Sequence, residues 1–144
     1  MSLHFVHPVH RATHRIGLYL NELRTEELSQ GEAHILAHLA HSSPATIAEL
    51  HRGLAHKRST LTSILDRLVD RGLITRKVGE ADRRTFVITP TAKGRKLAQR
   101  VNRHLSDLER AVVRRVSAAD IKGFKNVVSA LEQEAHRRTR AKRR

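Results

Sequence analysis

Apolar residues along this chain recur mostly at three- and four-residue steps, the spacing of helices with one buried face. Val9, Ala12, Ile16, Tyr19, Leu20 and Leu23 form such a stripe over residues 8–26. Ser29-Gln30-Gly31-Glu32 then reads as a capping box, in which a serine hydroxyl and a carboxylate three residues on satisfy each other's backbone N–H groups. It predicts a second helix with Ile35, Leu36, Leu39 and Ala40 on its apolar face, broken by Ser42-Ser43-Pro44. Thr46-Ile47-Ala48-Glu49 repeats the capping pattern and opens a short helix ending near Arg52-Gly53. Leu61, Ile64, Leu65, Leu68 and Val69 mark one clean helical face, and Gly72 stands where a C-terminal glycine belongs.

The period then changes. Residues 73–78 and 85–88 have strand character, with the loop 79–84 between them, which predicts a hairpin. Thr89-Pro90 predicts an N-cap with proline at the first helical position. Leu97, Val101, Leu105, Leu108, Val112 and Val116 follow on a long helix. Ser117 caps a last one, with Ile121, Phe124, Val127, Val128 and Leu131 on its apolar side. Six of the eight residues 137–144 are basic, without apolar pattern, which predicts a disordered tail. The expected fold is mainly α with a small β-hairpin.

Charge narrows the partner. Lys and Arg number 28 against 14 Asp and Glu in 144 residues, a formal charge of +14. Such a balance suits a polyanion: DNA, RNA or an acidic membrane surface. Single-strand binders stack bases on aromatic platforms. Only Phe5, Tyr19, Phe86 and Phe124 are available here, scattered along the chain, so duplex DNA is favoured. The tail lacks the apolar face that membrane insertion needs. The absence of cysteine excludes disulfides, thiol nucleophiles and thiolate zinc sites. There is no Gly-rich phosphate loop, no HExxH and no Gly-x-Ser-x-Gly elbow, so neither an enzyme nor a cofactor is expected. No apolar run approaches a membrane span and no signal peptide is visible, so a cytoplasmic protein is expected.

The DNA-reading chemistry falls on residues 46–52 and 57–71, two helices joined by a tight turn. The second would place its N-terminal residues on base edges in the major groove. Those residues are Lys57, Arg58, Ser59, Thr60, Thr62 and Ser63, which supply donors for guanine and hydroxyls for bases or phosphates. Arg67, further along the polar face, is a phosphate candidate. The hairpin adds Arg76 and Lys77 before its turn and Arg83 and Arg84 within it; arginine at a hairpin tip suits a narrow minor groove. Asp82 is expected to pair with an arginine and fix the loop.

Residues 28–97 resemble the winged helix-turn-helix of the multiple antibiotic resistance regulator (MarR) family. The matching segments are Leu28-Ser29-Gln30, Ile47-Ala48-Glu49-Leu50, Ser59-Thr60-Leu61-Thr62, Leu65-Asp66-Arg67-Leu68, Arg71-Gly72-Leu73-Ile74, Asp82-Arg83-Arg84 and Ile88-Thr89-Pro90-Thr91-Ala92-Lys93-Gly94. The resemblance implies a recognition helix over 57–71 and a wing over 79–84, with the family's Asp-x-Arg pattern on Asp82 and Arg84. His51 departs from it, standing where the family often has a small residue. The implied organisation is an N-terminal dimerisation helix (1–27), a DNA-binding lobe (28–96), C-terminal dimerisation helices (97–136) and the basic tail (137–144).

The expected function is a homodimeric transcriptional regulator on a palindromic operator, a repressor relieved by a small aromatic or anionic effector, with His14, His34 and His38 as candidate ligand contacts. Two alternatives stand beside it. One is a nucleoid-type protein with little sequence choice. The other is a metal-responsive regulator using the i, i+4 pairs His10/His14 and His34/His38, although no metal motif of the family is recognisable.

Overall fold

The computed structural model describes residues 2–23, 28–54 and 56–142. The elements run α1 (Val6–Asn21), α2 (Gln30–His41), β1 (Ala45–Thr46), α3 (Ile47–Leu54), α4 (Arg58–Asp70), β2 (Ile74–Val78), β3 (Phe86–Pro90), α5 (Ala92–Val113) and α6 (Ala118–Ala141). The first stripe thus becomes a helix over 6–21; residues 24–27 of the predicted span lie outside the described residues. The mainly helical fold with a hairpin wing is as expected.

The chain forms two compact units. Residues 13–106 are one; residues 1–12 with 107–144 are the other. The division falls inside α1 and α5, whereas the sequence reading places it near residues 27 and 97. The reason is packing: Leu20 of α1 and Leu97, Ala98 and Val101 of α5 are buried in the core of the first unit. Tyr19 stacks on His104 with ring centroids 3.8 Å apart. The Tyr19 hydroxyl donates to the His104 carbonyl (3.1 Å), and His104 Nε2 donates to the Tyr19 carbonyl (2.9 Å).

In the first unit, Ile35, Leu36 and Leu39 of α2, Leu50 of α3 and Leu61, Leu65 and Leu68 of α4 meet Ile74 and Ile88 of the sheet. The sheet is antiparallel in the order β1-β3-β2. β1 escaped the sequence reading because two residues show no periodicity. It pairs Ala45 with Ile88 and Thr46 with Val87, tying the start of α3 to the wing. Thr46 and Glu49 form the expected reciprocal cap, at 2.8 and 3.1 Å.

Two glycines shape the connections. Gly72 adopts φ +68°, a conformation glycine takes without steric cost. The bonds Gly72 N–H to Val69 C=O and Leu73 N–H to Leu68 C=O make a Schellman end to α4 and launch β2. Gly94 lies so close to the Leu73 backbone that a Cβ would sit 1.8 Å from its carbonyl oxygen, so only glycine lets α5 seat there. The cap of α5 is Thr91, not Thr89: β3 runs through Pro90, and the Thr91 hydroxyl accepts from Gly94 N–H (3.0 Å) while donating to the Gly72 carbonyl (2.7 Å).

In the second unit none of the described residues is buried. α6 starts on a full capping box between Ser117 and Asp120, whose carboxyl is held below its usual range by the hydrogen bonds from Ser117. The helix continues to Ala141, so residues 137–141 are helical rather than disordered; residues 143–144 lie outside the described residues. The physical reason is local. Glu134 pairs with Arg137 and Arg138 three and four positions on, and these bonds draw its carboxyl down to about 2. Cations also suit a helix C-terminus.

Candidate nucleic-acid interface

α4 is two-sided. Leu61, Ile64, Leu65 and Leu68 are buried, which leaves Arg58, Ser59, Thr60, Thr62, Ser63 and Arg67 exposed on the other side. Lys57 is the N-cap in extended conformation, and its side chain makes no capping bond. The first turn therefore presents free helix N–H groups, the positive end of the dipole and two basic side chains together.

Across from this turn lies the wing. Its loop is closed by Gly79 N–H to Thr85 C=O (2.9 Å) and Thr85 N–H to Asp82 C=O (3.1 Å). Asp82 Oδ1 accepts from the backbone N–H of Arg84 (3.0 Å). The carboxylate thus shapes the loop through main chain, not by pairing with an arginine side chain as the sequence suggested. That leaves Arg83 and Arg84 exposed at the tip. Lys77 is exposed on β2, opposite Val87.

Helix and wing meet at a cleft of about 430 Å³. Arg58 and Thr62 of α4 and Arg84 of the wing line it, with His51 and Arg52 of α3 and the apolar Ile47, Ala48, Leu61 and Phe86. Three arginines converge where the sequence reading counted two: Arg52 was missed, although its place in the last turn of a capped first helix was a usable signal. His51 sits in this cleft, half-buried, where a small residue would leave more room.

Two of the predicted DNA contacts, Arg67 and Arg76, have carboxylate partners within the protein. Glu32, 3% exposed, sends Oε1 to Arg67 Nε and Oε2 to Arg71 Nη1, both at 2.9 Å. Ser29 does cap α2, accepting from Glu32 N–H (3.2 Å), but the Glu32 carboxylate turns inward to α4. Arg76 Nη2 pairs with Asp66 Oδ1 of α4 at 3.0 Å. Nothing in a local pattern announces either bridge, since the partners are 35 and 10 positions apart.

The candidate ligand histidines do not form one site. His14 lies exposed on α1 and does not line the cleft between α4 and the wing. His34, half-buried on α2, has its pKa lowered by burial and then by His56. His38 lines a second opening of about 380 Å³ with Ser42, Ser43, Pro44, Ala45, Glu49 and Arg52. Among the described residues, no three His, Asp or Glu side chains are arranged to hold a metal ion. Also among them, no helix is long and apolar enough to cross a membrane.

Comparison with known proteins agrees with this geometry. Residues 28–86 match the model of the MarR family. The chain is 35% identical over 83 residues to YpoP, an uncharacterized HTH-type transcriptional regulator of Bacillus subtilis (strain 168). That alignment covers 58% of this chain and 59% of the relative, so the match spans about three-fifths of that protein's length. Among solved structures, the S. aureus MepR–DNA complex superposes with a TM-score of 0.78 at 18% identity, covering 93% of this chain and 99% of that one. The Streptomyces coelicolor regulator PcaV, solved with its natural ligand, gives 0.76 at 19% identity, covering 92% and 94%. At these identities the two structures establish the winged-helix fold.

Proposed function

We propose that this chain, whose residues 28–86 match the MarR family model, is a homodimeric, sequence-specific DNA-binding transcriptional regulator, a repressor released by a small ligand. The observation that carries this reading is the shared cleft: Arg58 and Thr62 of α4 and Arg84 of the wing face one space. A helix seated in the major groove and an arginine tip in the adjacent minor groove need that arrangement. Lys57, Ser59, Thr60 and Ser63 complete the base-facing turn, and Lys77 and Arg83 take phosphates. Arg67 and Arg76, already paired, contribute less to binding than their charge suggests.

Dimerisation is supported by the second unit. Phe124 is 64% exposed and Val113 54%, with Phe5 and Val6 similarly open, and no described residue there is buried. A second copy of the same surface would cover them, and twofold symmetry matches a palindromic operator. PcaV has a natural ligand; by analogy a small aromatic or anionic effector shifts this regulator between states that fit and misfit the operator. His34, His38 and His14 are the candidate contacts. The protein works in the cytoplasm, where its DNA is, and has no catalytic role.

Selection from a random duplex library, at near-physiological salt, tests the reading. An enriched inverted repeat with half-sites about one helical turn apart supports it. Retention without enrichment would favour a nucleoid-type binder and reduce the α4 side chains to phosphate contacts.

A further inference from the structure

α4 carries a carboxylate among its exposed polar residues. Asp66 follows Thr62 and Ser63 by one helical turn and is half-exposed. Beside a polyanion such a charge is a repulsion. Its partner is well defined: Oδ1 lies 3.0 Å from Arg76 Nη2, and the Arg76 guanidinium carbon stands 5.9 Å from the centre of the Phe86 ring. Arg76 belongs to β2 and Phe86 to β3, where Phe86 faces Val78 at the last register position before the wing loop. Three elements therefore converge on one side chain: the recognition helix by charge, one wing strand by covalent attachment, and the other by cation–π contact.

We infer that Asp66 is a positioning residue for DNA binding: it holds Arg76, and through Arg76 and Phe86 the hairpin, at a set angle to α4. The inference rests on the duplex-DNA reading. It assigns Arg76 to the inside of the protein's own machinery, not to phosphate. The β2–β3 ladder orders the hairpin internally and β1 ties it to α3; the Asp66–Arg76 pair ties it to α4. Arg84 must arrive at the minor groove while Arg58 is in the major groove, so the angle between wing and helix decides whether both can be satisfied at once.

Electrostatics and positioning predict opposite signs for one substitution. Asp66→Asn removes a negative charge from a basic surface, which on charge alone raises duplex affinity. As a loss of positioning it lowers affinity for the selected duplex by about two- to fivefold, the range of an exposed ion pair. The experiment uses the full chain with the library-selected duplex and a mixed-sequence duplex of equal length. Asp66→Asn and Arg76→Gln are expected to weaken the selected duplex alike, and the double variant to be no weaker than either single. The swapped pair Asp66→Arg with Arg76→Asp recovers binding at unchanged net charge. Amide exchange of residues 79–85, measured without DNA, speeds up in Asp66→Asn while the unfolding midpoint stays put. Unchanged or tighter binding by Asp66→Asn, or additive losses in the double variant, would overturn the inference. Should the wild-type chain hold no duplex, the DNA reading fails by itself; unaltered exchange in the wing would then overturn the brace separately.

Discussion

The two compact units of this chain handle apolar surface in opposite ways. In residues 13–106, leucines and isoleucines from α2, α3, α4 and the sheet are sealed in a core. In residues 1–12 and 107–144, helices with equally clear apolar stripes leave them open, Phe124 most of all. Helical periodicity is the same in both; what differs is whether the chain itself supplies the facing surface. A lobe that closes its own core can present a rigid polar face to DNA, while a pair of helices that cannot is suited to association. The lesson is that a stripe of leucines and valines states that something will be covered, but not by what.

Truncation inside each unit should separate them. Leu65→Ala, in a fully buried site of α4, is expected to cost about 2–5 kcal/mol in denaturant unfolding, by an amount independent of protein concentration. Phe124→Asp, on the open face of α6, should leave the lobe folded and weaken self-association by roughly 2 kcal/mol or more, about 30-fold in the dimer dissociation constant, read by sedimentation. If Phe124→Asp unfolds the lobe, the contrast between the units is false.

Smaller changes refine the picture within the lobe. Glu32→Gln leaves Arg67 and Arg71 without their buried carboxylate and should lower stability by about 1–2 kcal/mol. Operator affinity should fall with it. A gain in affinity would mean that the freed arginines bind phosphate better than they brace α4. His34 gives a pH signature. Burial lowers its pKa below the ordinary 6.5, so the unfolded chain takes up its proton first. Its contribution to stability is therefore full above pH 6.5 and is lost as pH falls through the folded value. His34→Gln should flatten the wild-type decline over that window by a fraction of the whole, the other ten histidines remaining; identical slopes would show that His34 is not desolvated.

Much of the lobe was legible in the sequence because its cues are local. Thr46 and Glu49 cap each other across three residues, Gly72 ends α4, and the leucines of α4 keep strict spacing. The exposed row of Arg58, Ser59, Thr60, Thr62 and Ser63 follows from that spacing. The misreadings share a cause: a residue able to satisfy a local pattern was recruited by a distant one. Glu32 fits a capping box but serves α4; Arg76 fits a DNA contact and is also paired with Asp66. Thr89 fits a cap before Pro90 until β3 claims both, and Thr91 takes the role. The helical end of α6 was hidden by its charge, because Glu134 offsets only its nearest arginines and composition counts them all.

A DNA-reading lobe paired through a separate, coreless unit places two chains on one operator. This claim is tested most directly by the stoichiometry of the complex, measured by sedimentation of the full chain on a duplex bearing one enriched site. Two chains per duplex, bound together without a one-chain intermediate, is the predicted result. A single chain bound at full affinity would contradict the claim and leave the open face of α6 without its assigned purpose.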